Sequence, residues 1–483
     1  MGHGNSLRHI HINLAQHYLK KLAIASAAYR KGYENTTYGL TLFDQEWPQI
    51  RHWWQWVNNF AYSDDQLAQL SMEYSLHGEE IFNFRQTPQE RFEWAKAGLV
   101  AAQQINDQQA EGACLFRMAW AMHKQDISQD TEVMAYSALN LAESSRDWLQ
   151  VGRILHLLGE ISIRHGCYAQ AWDFCSRSLD LLLGLHAEVY LLDTYFALSE
   201  IAYLQGDLKN AYDYALQSLH LLETHGFETS LGSILNWVGV LSFELGDYEL
   251  GEYYILQSIE NGRVKGSQSE VAHGLCALGY LEVCRQQYSR AEQYFEESFE
   301  IARSTGEAWL IRIIELEQAY LLSKMGHRQT AQQNLYRAVE YGRNSGYHGH
   351  LAQALNYLAD LQIDADQLDL APATLVEGLQ IARDDGNRLE ITRGLLVAAK
   401  FAQRCGRLEQ AVEWLGLLLS QSSTIAPISD AGQSLAVEIE RELDGERFQR
   451  AFQDGKVLDF DAAIENILNE LKLASTTAFS SHV

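Results

Sequence analysis

The sequence predicts an all-α protein, a right-handed α-solenoid of stacked helix pairs. Three observations carry this. One apolar position recurs every 40 residues without an insertion: Leu99, Leu139, Leu179, Leu219, Ile259, Phe299, Val339, Leu379 and Leu419. Small and turn-forming residues recur at the same spacing, as Ala171, Ala211, Gly251, Ala291, Ala331, Ala371 and Ala411, and as Gly226, Gly266, Gly306, Gly346 and Gly386. The chain of 483 residues holds 47% hydrophobic residues and only four prolines, and alternating Val, Ile and Thr runs are nearly absent. Repetition at one period marks stacked units, each too small to bury its own apolar face.

In chain order, residues 1–75 do not obey the repeat and form an N-terminal helical cap. Residues 12–30 read as one helix with Leu14, Tyr18, Leu22 and Ala25 on a common face. Asp44 is placed to cap a second helix that starts at Trp47 and Pro48. Trp47, Trp53, Trp54 and Trp56 make this the most aromatic stretch. They serve either as an apolar plug on the end of the stack or as a contact surface for a partner.

Residues 76–420 carry about nine helix pairs. Within a pair, Gly166, Gly206, Gly246, Gln286, Gly326, Asp366 and Gly406 precede the second helix. Glycine at Gly226 and Gly246 supplies the positive φ that ends a helix and reverses the chain. Small Gly239 and Gly279 allow close helix approach, and Phe174, Tyr214, Tyr254 and Tyr294 are expected to fill the volume left elsewhere. Leu235 and Leu241 are expected core residues, each worth roughly 2–5 kcal/mol on truncation to Ala. Residues 421–471 form a C-terminal helical cap, with Asp459 and Asp461 capping the last helix. Residues 472–483 are expected to be a flexible tail.

The strings Val238-Gly239-Val240-Leu241 and Gly246-Asp247-Tyr248-Glu249-Leu250-Gly251 resemble the tetratricopeptide repeat, as do Leu278-Gly279-Tyr280-Leu281, Tyr288 and Ala291. The period differs, being 40 instead of 34, and the closing proline of that repeat is missing. Forty-residue versions resemble the sensor superhelix of maltose-activator-type signal-transduction ATPases (STAND proteins). The segments Tyr33–Val57 and Leu443–Ile464 resemble the flanks of that superhelix in STAND and NB-ARC proteins. No Gly-x-x-x-x-Gly-Lys-Ser/Thr loop is present, since Gly455-Lys456 continues as Val-Leu. The resemblance therefore implies a sensor without its ATPase domain.

Net charge is −26, with 37 basic and 63 acidic residues and no run of Lys and Arg. That argues against direct nucleic-acid binding. No stretch reads as a signal peptide or a membrane span, and a cytoplasmic location is expected. The six cysteines form no Cys-x-x-Cys and are expected to be small buried hydrophobes. His9-x-His11 and His348-x-His350 are expected to be turn histidines, not metal ligands. No catalytic motif and no cofactor site stand out, and the Asp384-Asp385 pair is expected in solvent.

The informative surface is the groove that the first helix of each pair lines in tetratricopeptide superhelices. Mapped by the register, it carries Arg153, His156, Glu160, Asp193, Glu200, Asn236, His273, Tyr280, Tyr320, Asn356, Asp360, Arg393, Lys400 and Arg404, with Glu244, Lys324 and Asp364 beside them. Polar and aromatic residues stand where a core demands apolar ones. Asn236 and Asn356 can bond a peptide backbone as donor and acceptor. An acidic middle and a basic last repeat make the groove electrically asymmetric. The expected function is a non-enzymatic scaffold or sensor that takes a peptide, protein segment or small effector there. One alternative is an enzyme using His156, Glu160, Glu200 and His273 as acid–base groups. Another is a structural subunit assembling through Trp47–Trp56. The oligomeric state is left open.

Overall fold

In the computed structural model, residues 2–31, 34–123, 129–225 and 231–480 are described. They form 24 helices and no strand. From Asp65 to Ser420 the described helices follow one another as nine hairpins of an α-solenoid, with the short helix Glu79–Arg85 inserted in the first.

The reason for the repetition is visible in the turns. Residues 166, 206, 246, 286, 326, 366 and 406 all have positive φ, including Gln286 (62°) and Asp366 (61°). So do residues 106, 146, 186, 266, 306, 346 and 386 between hairpins, three of which are Asn106, Arg146 and His186. At all of these turns but the one at Gly346 the next N–H reaches back to a carbonyl five residues earlier, as Asp247 to Ser242 at 2.9 Å and Gln367 to Gln362 at 2.8 Å. This left-handed closure satisfies the last carbonyls of a helix whether or not glycine occupies it. Gly246 conforms at φ 102°. The turn expected at Gly226 lies outside the described residues.

Four successive hairpins are also pinned by a hydroxyl. Ser178, Ser218, Ser258 and Ser298 are fully buried, and each donates to the carbonyl 26 residues earlier, on Gly152, Leu192, Gly232 and Ala272, at 2.6–3.0 Å. The close approach at Gly239 is real, since a Cβ there would meet Ile255 at 2.7 Å and the Gly251 carbonyl at 2.9 Å. A Cβ on Gly279 would meet the Phe295 ring at 2.6 Å. Large does face small, but one place later than expected: Ile255 and Phe295 are fully buried, whereas Tyr254 and Tyr294 are half-buried. Leu241 is core and Leu235 only half-buried.

The chain divides into two compact units, and neither is one continuous segment. The first comprises Met1–Ile161, Ala171–Ala197 and Gln217–Leu231. Its first helix, Gly2–Arg30, packs with Glu34–Ala61 around Leu22, Phe43, Ile50, Val57 and Tyr74. The second helix runs through Pro48 instead of starting there. Asp44 does not cap it; its two carboxylate oxygens take the Arg85 guanidinium at 2.9 Å each.

The second unit comprises Ser162–Gln170, Leu198–Leu216 and Gly232–Val483. In it, residues far apart in sequence meet. Arg164 donates to the Tyr347 hydroxyl at 3.0 Å, and Asn387 donates to the buried Tyr168 hydroxyl at 3.2 Å. Helix Leu408–Ser420 crosses Gly445–Lys456 so closely that a Cβ on Gly455 would sit 1.9 Å from the Glu413 carbonyl. Asp459 caps the last helix through the Ala462 N–H at 3.0 Å, while Asp461 pairs with Arg388. The expected tail is helical through Ser480.

Cys114, Cys175 and Cys276 are buried as expected, but Cys167 and Cys405 are exposed beside hairpin turns. Asp385 is not a solvent carboxylate: it is 11% exposed and meets His348 at 3.1 Å. No helix among the described residues is long and apolar enough to cross a membrane.

Candidate ligand-binding wall

The aromatic N-terminal segment faces mostly inward. Trp54 stacks on Trp94 with ring centroids 4.1 Å apart and a 5° interplanar angle, Trp47 stacks on the same ring at 5.5 Å, and Trp53 is 8% exposed. Trp56 alone of the four lines an open cleft of about 730 Å³, with Leu7, Arg8, His11 and Phe60.

The predicted groove residues fall into two polar groups, one in each unit. In the first unit Arg153 and Arg117 converge on one carboxylate, Glu79, which bonds to both. Burial would raise the Glu79 carboxyl, but the two guanidinium charges outweigh it and hold it down at about 2. Arg153 also lies over the rings of Phe116 and Tyr190, at 4.8 and 4.6 Å. The Glu160 carboxylate lies 2.9 Å from His123 Nε2, whose N–H it accepts, and stands 3.8 Å from His156. Trp120 covers both imidazoles. His123 and His156 are 1% and 6% exposed, so this histidine–carboxylate set belongs to the packed interior. Asp193 is half-buried in the same unit.

The second unit carries Glu200, Asn236, His273, Tyr280, Tyr320, Asn356, Asp360, Arg393, Lys400 and Arg404. Arg393 donates to both carboxylate oxygens of Glu390 at 3.1 Å and lies 5.1 Å over the Tyr357 ring. Tyr357 stacks on Tyr320 at 4.2 Å. Gln353 donates to Glu317 at 2.9 Å and to the Tyr357 hydroxyl at 3.0 Å. Glu244 is hydrogen-bonded to Tyr203 and feels Arg393, Glu317 and Glu390. Burial raises Glu244 and Glu317 to about 7 each, against the pull of Arg393. Tyr280 is also driven up by burial, next to Cys284 and Glu244.

Beside this group Asp360 sits between Lys324 (2.9 Å) and Lys400 (2.5 Å), and Lys400 also meets Asp364 at 2.8 Å. Burial opposes ionisation of Asp360, and the two ammonium groups overcome it, leaving the carboxyl well below its usual range. His273 stands 3.6 Å from Glu307. Arg404 reaches the exposed Asp366 at 3.2 Å. The basic end foreseen in the last repeat is therefore neutralised by carboxylates around it, while the acidic middle stays acidic.

Asn356 departs furthest from expectation. It is fully buried, and its amide donates to the Glu390 carbonyl at 3.0 Å and to its carboxylate at 3.1 Å. A Cβ on Gly378 or Gly394 would meet its Oδ1 at 3.1 or 3.0 Å, so it pins neighbouring helices and presents nothing to a ligand. Asn236 keeps a buried Oδ1 without a hydrogen bond.

The mapping missed Glu79, Arg117, Tyr203, Glu317, Tyr357 and Glu390. One signal was available for two of them. The row Ala197, Trp237, Ala277, Glu317, Tyr357, Val397 is apolar except at Glu317, and a charge in such a row points to a polar interior.

No family model matches the chain, and no curated protein matches it. Among solved structures, a Rap protein complexed with competence and sporulation factor superimposes with a TM-score of 0.52 at 14% identity, over 76% of this chain and 99% of that one. A STAND protein with a tetratricopeptide repeat sensor from Pyrococcus horikoshii gives 0.41 at 12% identity, over 71% of this chain and 59% of that one. The apo quorum sensor NprR from B. thuringiensis gives 0.41 at 13% identity, over 77% and 99%. At such identities likeness speaks for fold alone, and the first of the three carries that conclusion. In fold the chain is a tetratricopeptide-like helical-repeat protein.

Proposed function

We propose that the chain is a non-enzymatic binding module that takes a peptide or protein segment on the wall lined by the first helices of its hairpins, and passes that event on as a regulator. The supporting observation is the polar interior of the second unit. Tyrosines, carboxylates and amides occupy a wall where stacked helices alone would need apolar side chains. The Rap neighbour was solved with competence and sporulation factor, which fits a repeat wall of this kind receiving a ligand.

The test is panning of a random peptide library on the full chain. Asn236→Ala with His273→Ala should abolish capture and leave the melting temperature in place, because both residues are half-buried on the wall and outside the apolar core. Undiminished capture by that double variant refutes the wall assignment.

The enzyme alternative has one observation on its side, the His123–Glu160–His156 set. Its depth of burial favours a packing role. The assembly alternative is narrowed to Trp56 and the cleft around it.

A further inference from the structure

Three consecutive hairpin turns of the second unit meet chain that lies far ahead of them in sequence. At the first, Arg164 donates to the Tyr347 hydroxyl and lies 5.6 Å over its ring, and the Tyr168 hydroxyl accepts from Asn387 at 3.2 Å. Between these contacts Gly166 stands so close to Asp385 that a Cβ on it would strike the carboxylate. At the second turn, a Cβ on Gly206 would meet the β-carbons of Ser423 and Arg388 at 2.5 and 3.1 Å. At the third, a Cβ on Gly246 would lie 3.8 Å from Ala426, and the Tyr248 hydroxyl is 3.5 Å from Asp430. Gly166, Gly206 and Gly246 are 40 residues apart, so these contacts form one seam.

The seam is a different joint from those between neighbouring hairpins. Neighbours bury apolar side chains such as Leu275, Leu278 and Leu281 along their helices. The seam consists of turns, with hydroxyls, an amide, a guanidinium and bare glycine backbone, and with Leu208 and Tyr203 as its apolar share. Water replaces a hydrogen bond when a joint opens, whereas apolar area exposed on opening is a loss with no substitute. The seam can therefore part while every hairpin stays folded.

Its position gives that parting a consequence. Arg164 stands on the row of Glu244, Lys324 and Arg404, so the seam is drawn across the rim of the wall. Of the wall residues in this unit, all but Arg404 are half-buried or buried. A peptide cannot lie along side chains so covered, and the wall has to be uncovered before it binds.

We infer that the seam is a latch, which keeps the wall covered while closed and admits the peptide when it opens. This rests on the peptide-binding reading above, because the wall is what the latch covers.

The experiment locks and loosens the seam in the full chain. Gly206→Cys with Arg388→Cys places two β-carbons close to disulfide spacing, and the turn register accepts a side chain at positive φ, as Gln286 and Asp366 show. Peptide mass mapping identifies the staple. Panned with the random peptide library, the reduced form should capture as wild type does. The oxidised form should capture about a tenth as much or less, since binding scales with the fraction of molecules able to open. Tyr168→Phe with Tyr347→Phe deletes two seam hydroxyls and keeps both rings. In that variant fluorescein maleimide should modify Cys284, on the wall row between Glu244 and Lys324, about tenfold faster than in wild type, the scale of two lost hydrogen bonds. The oxidised staple should slow the same reaction. Circular dichroism confirms that each variant folds. Equal capture by the oxidised and reduced staple, a Cys284 rate that ignores both staple and hydroxyls, or a staple that does not form under oxidation overturns the latch. Capture by neither staple form nor wild type refutes the peptide-binding reading instead, and the Cys284 rates then decide the latch alone.

Discussion

Two polar groups lie in this molecule, and they are built with opposite arithmetic. In the first unit one carboxylate, Glu79, is shared by two guanidinium groups, Arg117 and Arg153. In the second, one guanidinium, Arg393, is surrounded by three carboxylates, Glu244, Glu317 and Glu390. Both sit in the same repeat fold, and the consequence for ionisation is inverted. Glu79 is held down at about 2, whereas Glu244 and Glu317 are pushed up to about 7. Burial alone raises all three, so the number of cations per acid decides the direction. A buried acid that outnumbers its partners stores unfavourable energy at neutral pH, and a ligand bearing positive charge can release it.

The largest expected effect is on the side rich in cations. Glu79→Gln takes the shared counter-charge from two mostly buried guanidinium groups and should cost about 3–5 kcal/mol in urea unfolding. A midpoint close to wild type would show the pair to be solvated and would collapse the contrast. Next comes Arg393→Gln, which removes the guanidinium that three acids share. It should cost about 3 kcal/mol at pH 8 and markedly less at pH 6, where the acids take up protons. A loss that does not change with pH would mean Arg393 acts by packing alone.

Third is the pH dependence of the wild type. Glu244 and Glu317 have folded values near 7, above the ordinary 4.5. Between those values the folded state binds more protons than the unfolded one. Their contribution is therefore fully present below about 4.5 and lost as pH rises through 7. His350 opposes them, because burial and then Arg164 lower it to about 4, so acidification below 6.5 favours unfolding at that site. With two groups against one, stability should rise by on the order of 2 kcal/mol between pH 8 and pH 6. In E244Q/E317Q that gain should vanish, and a gain that persists would place the titration elsewhere. Smallest is Arg404→Ala. Its pair with Asp366 is 44% and 76% exposed, so the change should stay within about 0.5 kcal/mol. A larger loss would extend the buried network to the last hairpin.

The architecture was legible because a period is a local property repeated. Gln286 and Asp366 occupy the glycine register and adopt its positive φ, so the spacing outweighed the residue type. The same register placed Tyr280, Tyr320, Asp360, Arg393 and Lys400 in one polar group. It could not tell what stands across from them. Glu79 and Arg153 are 74 residues apart, and Arg164 and Tyr347 are 183 apart. Periodicity assigns a residue to a face, whereas a partner depends on how far successive hairpins rotate. Asn356 failed for a related reason. Its position is a wall position by count, but glycines at 378 and 394 let neighbouring helices close over it. For the tryptophans the stretch itself was legible but its packing partner was not, since Trp94, the ring that Trp47 and Trp54 stack on, lies outside the stretch that looked aromatic.

The buried serines bear on how the protein yields under load. Four successive hairpins carry the hydroxyl tether, at Ser178, Ser218, Ser258 and Ser298, while Ala338 and Gly378 hold the next two places and have no hydroxyl to offer. Each tether resists sliding of one helix along its mate, and each is worth on the order of 1 kcal/mol. The coil is thus graded like a spring wound from two gauges of wire. Under tension hairpins without the tether, such as 308–345 and 348–385, should give before the four that carry it, and serine placed at Ala338 and Gly378 should raise the rupture forces of those two.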